Sequence, residues 1–122
     1  MPDSTKKQIR ELEIDAISYS KIGHHSKAES TIKKALELKP RSNHLNHELA
    51  KIHLRSKQYE KALEILLTLS NKTKNREILF KDIGLSYFGM GKLEKALEAS
   101  DVSLSEKQDY VEALALKGKS LR

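Results

Sequence analysis

Shifted against itself by 34 residues, the sequence lays small residue over small residue: Ala28 over Ala62 over Ala96, and Ala16 over Ala50 over Gly84 over Gly118. Tyr19, His53, Tyr87 and Leu121 superpose in the same frame. Two small-residue ladders in one register mark a tandem array, the kind of chain that buries its apolar surface by stacking like units. A helix backbone approaches its neighbour closely only where the side chain is nearly absent. Each ladder therefore predicts a packing position, with the larger residue three places on filling the adjacent gap. The apolar residues in between recur every three or four positions, as in Ile9, Leu12, Ala16, Tyr19, or Ala62, Leu63, Leu66, Leu67. A strand would alternate every second residue, so these stripes predict helices.

The breaks between stripes are short. Gly23 is suited to end a helix in a left-handed turn, and Ser26-Lys27-Ala28-Glu29 has the spacing of a capping box, which predicts a helix starting there. Pro40 cannot continue a helix, and Ser42 can cap the next. Further breaks fall at 55–58, 70–75, 89–91 and 105–108. Seven helices follow, each of about 12 to 18 residues, joined by loops of ordinary length for helical bundles.

Composition agrees with thin helical layers rather than a thick central sheet: of 122 residues, 38% are hydrophobic and 33% charged, with two prolines and five glycines. The absence of cysteine excludes disulfides and thiolate metal sites. The first residues lack the apolar core of a secretory signal, and no apolar run approaches the ~18 residues needed to span a bilayer. The expectation is a soluble, cytoplasmic chain without a membrane partner. Net charge is +6, held unevenly: residues 1–61 carry 13 basic and 8 acidic side chains, residues 62–122 carry 10 and 9. A basic first half favours acidic peptides, nucleic acid or anionic lipid. The plainer reading is a lysine-rich solvated surface.

The residues in this register resemble the tetratricopeptide repeat family. The fullest match is Phe80-x-x-Ile83-Gly84-x-x-Tyr87 followed by Gly91 and Ala96. An earlier copy reads Leu12-x-x-Asp15-Ala16-x-x-Tyr19 with Gly23, Ala28, Ile32, Ala35 and Pro40, and another Asn46-x-x-Leu49-Ala50-x-x-His53 with Tyr59, Ala62 and Leu66. A last one begins at Leu114 and runs through Gly118 to Leu121. The resemblance covers residues 9–122. Asp15 and Lys117 stand where the family has aliphatic residues, Lys74 and Gln108 replace its closing proline, and Ser100 and Ser103 are polar where apolar residues are usual. Pentatricopeptide repeats are related but run one residue longer, which the strict 34-residue spacing disfavours. The implied fold is all-α: a right-handed α-α superhelix of about three helix pairs plus a final single helix, one domain over 1–122, with repeats near 9–42, 43–76 and 77–110 and a partial fourth at 111–122.

The resemblance also implies a concave groove lined by the first helix of each pair, which binds a peptide or protein segment as an adaptor or assembly factor. In that groove it puts Ile17 and Lys21 from the first helix, with Arg10, Glu13 and Ile14 beside them. From the next come His44, His47, Lys51, Leu54 and Arg55, then Ile78, Lys81, Leu85 and Phe88 with Asp82, and finally Lys119 with Glu112 and Leu116. An apolar floor with basic groups complements a peptide of apolar and acidic character. The plainer alternative is that Leu54, Leu85 and Phe88 pack between repeats. Family members that clamp the C-terminal carboxylate of heat-shock chaperones use lysine, asparagine and arginine, in slots that here hold Glu13, Ile17, Glu48, Ile78 and Asp82. A shift by one repeat gives His47, Lys51, Asp82, Glu112 and Leu116. Neither set is a carboxylate clamp.

No cofactor and no metal is expected. His44 and His47 share a helix face, but Glu48 and His25 are only guesses for further ligands. No phosphate loop, nucleophile elbow or metalloprotease motif is present, and Ser18, Ser20 and Ser86 lie on helices without a plausible base, so the chain reads as non-catalytic. Two other functions stand beside the scaffold. A nucleic-acid binder using the basic half is disfavoured by its few aromatics, Tyr19, Tyr59, Phe80, Tyr87, Phe88 and Tyr110. Self-assembly, or a piece of a longer array, is motivated by Leu114, Leu116 and Leu121 on a final half repeat.

Overall fold

The computed structural model describes residues 2–121. Among them the chain forms seven α-helices and no strand: α1 Asp3–Lys21, α2 His25–Leu38, α3 Asn43–Arg55, α4 Tyr59–Thr68, α5 Arg76–Gly89, α6 Leu93–Glu106 and α7 Val111–Ser120. Lengths run from 10 residues in α4 and α7 to 19 in α1, a wider spread than the stripes predict.

Three of the helix ends are built alike. After α1, Gly23 has φ 88° and the chain closes with His24 N–H donating to the Tyr19 carbonyl at 2.9 Å and Gly23 N–H to the Ser20 carbonyl at 3.2 Å. This is the paired bonding of a Schellman cap, which satisfies carbonyls the helix itself leaves open. After α5 the same pair runs from Lys92 to Tyr87 at 2.9 Å and from Gly91 to Phe88 at 3.0 Å, with Gly91 at φ 79°. After α3 it runs from Gln58 to His53 at 2.8 Å and from Lys57 to Leu54 at 3.1 Å, but Lys57 takes the left-handed position at φ 63°. The three caps keep the 34-residue period. A side chain in that conformation costs roughly 1–2 kcal/mol, partly offset by the larger backbone entropy that glycine loses on folding. Lys57→Gly is therefore expected to raise the unfolding free energy by about 0.5–1 kcal/mol in urea melts with an unchanged m-value. A decrease would contradict the cap as the reason for the conformation.

Helix starts were less legible. Ser42 caps α3 as its position predicts, accepting the Leu45 N–H at 3.1 Å. Ser26 does not cap α2. The helix begins one residue earlier at His25, and the Ala28 N–H donates to the His24 carbonyl at 2.9 Å. The Schellman turn ends at His24, so the new helix follows directly and Ser26 lies within its first turn.

The helices group into two compact units, Met1–Gln58 with α1 to α3 and Tyr59–Arg122 with α4 to α7. In the first, α1 packs on both α2 and α3, and Ala16, Ala28, Ile32, Ala35, Leu45 and Ile52 are buried. In the second, α5 packs against α4, α6 and α7, and Leu66, Leu79, Ile83, Ala96, Ala99 and Leu116 are buried. Gly84 sits in the tightest of these contacts: a Cβ there would lie 2.5 Å from Leu116 Cδ2 and 3.3 Å from the Ala96 carbonyl. Gly118, its counterpart one repeat on, departs from the expected ladder. It is exposed, with nothing within 4 Å of an added Cβ, because no described helix follows α7 to cover that face.

The out-of-pattern serines are buried without penalty. Ser100 donates to the Leu97 carbonyl at 2.8 Å, and Ser103 reaches across from α6 to the Glu77 carbonyl at 2.6 Å. A buried hydroxyl without such an acceptor would cost about 1–3 kcal/mol.

Candidate functional site

The residues assigned to the groove lie on α1, α3, α5 and α7, the first helices of the successive pairs. Two of them, Asp82 and Leu116, are buried. Ile17, His47, Lys51, Leu54, Ile78, Lys81, Leu85 and Phe88 are half-buried, while Lys21, His44, Arg55 and Lys119 are exposed.

In the first unit several of these groups already serve contacts within the chain. Arg55 Nη1 donates to Ser20 Oγ at 3.3 Å, linking α3 to α1. Lys51 Nζ lies 3.5 Å from Glu48 Oε1, one turn back on its own helix. His44 Nε2 meets Glu13 Oε1 across from α1. Between α1 and the start of α3 runs a crevice of about 470 Å³ lined by Lys6, Ile9, Arg10, Glu13, Lys39, Ser42, His44 and Leu45. Of its lining, sequence reasoning had placed Arg10, Glu13 and His44 on the groove face. Lys6 and Lys39 it missed; Lys6 shares a face with Arg10 at four-residue spacing, a signal that could have found it, while no spacing links Lys39 to that face.

In the second unit, α5 and α7 flank an open cavity of about 250 Å³ lined by Lys81, Leu85, Phe88, Glu112, Ala115, Leu116 and Lys119. Lys81, Leu85, Phe88 and Lys119 lie together here, while Ile78 is not among the lining residues. The floor is apolar and a lysine stands on each helix.

The two lysines are not equivalent. Lys119 is exposed, and no described residue pairs with it. Lys81 Nζ bonds Asp82 Oδ1 at 2.6 Å, with side chains 17% and 2% exposed. Burial alone would lower the Lys81 pKa, but the adjoining carboxylate outweighs it and holds the ammonium above its ordinary 10.5. Tyr110 is raised above 10.0, chiefly by burial and against the pull of Lys81.

The histidine pair expected to share a face, His44 and His47, is not the grouping that converges. Ligand atoms of Glu13, His44 and Glu48 lie within 4.8 Å of one another, so a carboxylate of α1 joins the face that spacing alone had given to α3. No described helix is long and apolar enough to cross a membrane.

A family model described as tetratricopeptide repeat matches residues 23–83. Among solved structures, the first TPR of Spaghetti (RPAP3) bound to the HSP90 peptide SRMEEVD is 19% identical, with TM-score 0.81 over 93% of this chain and 90% of that one. The second TPR domain of human RPAP3, in complex with the HSP70 peptide SGPTIEEVD, is 16% identical, with TM-score 0.82 over 97% and 98%. A mutant O-GlcNAc transferase from Thermobaculum terrenum is 18% identical, with TM-score 0.86 over 99% of this chain but 23% of the transferase. No curated protein sequence matches the chain.

Proposed function

The chain belongs to the tetratricopeptide repeat family, and from that premise we propose that it is a non-catalytic scaffold binding a peptide or protein segment of mixed apolar and acidic character. The observation that carries this reading is the α5–α7 cavity, where Leu85, Phe88 and Leu116 offer an apolar seat and Lys119 an uncommitted cation. A small set of polar groups around an apolar floor is the usual make-up of a recognition site. The RPAP3 domains of the same fold bind peptides ending in two glutamates, valine and aspartate. The class of ligand, an acidic segment with apolar anchors, carries over to this chain as part of the proposal. The mode does not: Glu13, Glu48 and Asp82 occupy slots where a carboxylate clamp needs cations and amides, and carboxylates there repel a carboxylate terminus.

The reading as a scaffold rather than an enzyme is supported by how the hydroxyls are used. Ser86, Ser100, Ser103 and Ser120 each donate to a backbone carbonyl, and Ser20 accepts from Arg55. The nucleic-acid alternative loses ground on the aromatics. Lys27 lies over Tyr19 at 4.9 Å, Arg76 over Phe80 at 5.0 Å, Lys95 over Tyr87 at 5.6 Å and Lys107 over Tyr110 at 5.6 Å. A cation of the chain's own over one face of each ring competes with a base for that face.

The test is affinity capture from nuclease-treated source lysate with the parent chain and a Leu85→Ser/Lys119→Glu variant, followed by titration of the captured partner. Circular dichroism confirms that the variant folds. The partner is expected to bind the variant about 10–100-fold more weakly, and the SRMEEVD peptide to bind the parent no better than a scrambled one. Equal capture by both proteins, or nucleic acid alone before nuclease and nothing after it, overturns the reading.

A further inference from the structure

We propose that Glu13, His44 and Glu48 form a binding site for a divalent transition-metal ion of the zinc type, tying α1 to α3. His44 and Glu48 are one helical turn apart on α3, a spacing that puts both side chains on one face. Glu13 enters from α1, and its Oε1 already meets His44 Nε2. The three donor atoms lie within 4.8 Å of one another. Around a tetrahedral ion with bonds near 2.0–2.2 Å, donors stand about 3.4 Å apart. The Glu13–His44 contact therefore has to open and any wider separation to close, both by side-chain rotation.

Burial calls for a partner here: the Glu13 and Glu48 side chains are only 19% and 10% exposed. His44 and Lys51 fill that place until an ion replaces them, against the nearby cations Lys6, Arg10 and Lys39. With a neutral imidazole the set carries a charge of −2, matching a divalent ion. One nitrogen and two oxygens suit zinc, cobalt or nickel better than calcium or magnesium, which take oxygen alone. Three protein ligands leave at least one coordination position for water. Access is through His44, whose side chain is 67% exposed, at the rim of the α1–α3 crevice. Lys51 is the built-in competitor: its ammonium lies 3.5 Å from Glu48 Oε1 and is exposed enough, at 31%, to swing away when the ion arrives.

The site lies wholly in the first unit and shares no residue with the α5–α7 cavity, so it stands or falls apart from the scaffold proposal. The test is calorimetric titration of the tag-free full chain with zinc chloride, paired with cobalt(II) titration read by visible absorption. One ion per chain is expected, with a rise in Tm. His44→Ala should weaken binding by at least about tenfold and abolish the rise in Tm, and Glu48→Gln should do the same. Lys51→Ala should tighten binding several-fold, and His24→Ala should leave it unchanged. His44 is exposed, so its variant keeps the fold; if Glu48→Gln does not fold, the His44 and Lys51 variants decide. The proposal is overturned if wild type and His44→Ala titrate alike, if Lys51→Ala weakens binding, or if no ion binds at millimolar concentration.

Discussion

Gly84→Val is expected to lower the unfolding free energy by about 3 kcal/mol. Alanine alone would set its Cβ 2.5 Å from Leu116 Cδ2, 3.3 Å from the Ala96 carbonyl and 3.4 Å from Ala99 Cβ. Leu116 is buried and the Ala96 oxygen belongs to the α6 backbone, so neither neighbour yields cheaply. Alanine would recover about 1 kcal/mol of helix propensity against that crowding. Valine adds two methyls in the same space and loses most of the propensity gain, so overpacking wins. Gly118 supplies the internal control. It occupies the same repeat position with open space around it, and Gly118→Ala should stabilise by up to about 1 kcal/mol. Urea melts of both variants check the pair. Gly84→Val within 0.5 kcal/mol of wild type would mean that α5, α6 and α7 are not packed as described.

That pair also marks how far the sequence could be read. The 34-residue ladder located the helices because close packing demands small residues at a fixed period, and the glycines at 23 and 91 located two turns because positive φ favours glycine. The ladder could not say that Gly118 is uncovered, since that depends on which described residues pack against α7. Nor could composition reveal that Lys57 makes the third turn of the series, a lysine doing what glycine does elsewhere. The candidate site was legible in the same uneven way. Family geometry named Lys81, Leu85, Phe88 and Lys119, which do converge. It could not bring Glu13 to His44, 31 residues away on another helix, nor show that some groove cations are engaged by their own chain.

Lys81 is where that last point has the largest consequence. Adjacent residues on a helix point in different directions, so Lys81 and Asp82 read from sequence as two separate surface charges. In the fold Asp82 turns inward to 2% exposure and Lys81 bends over it at 2.6 Å. Removing the lysine strips a buried carboxylate of that partner, which in fully buried pairs costs about 3–5 kcal/mol. With Lys81 still partly open to water, Lys81→Met is expected to cost about 2–3 kcal/mol, discounted for that exposure. Lys81→Glu, bringing two carboxylates together, should cost more, so a groove test that reversed this charge would confuse unfolding with lost binding. Exposed Lys119 is the residue to reverse instead. The double variant Lys81→Met/Asp82→Leu should recover most of the loss, because a well-packed apolar pair needs no counter-charge. The pH dependence gives a second readout. Lys81 and Tyr110 both hold their protons more tightly folded than unfolded, so their contribution is intact below about pH 10 and is lost as pH climbs through the raised folded values. Wild type should therefore lose stability above pH 10 more steeply than Lys81→Met does. If the two alkaline curves run parallel, and the single variant is as stable as wild type at pH 7, the pair contributes nothing and Lys81 returns to the groove as a free cation.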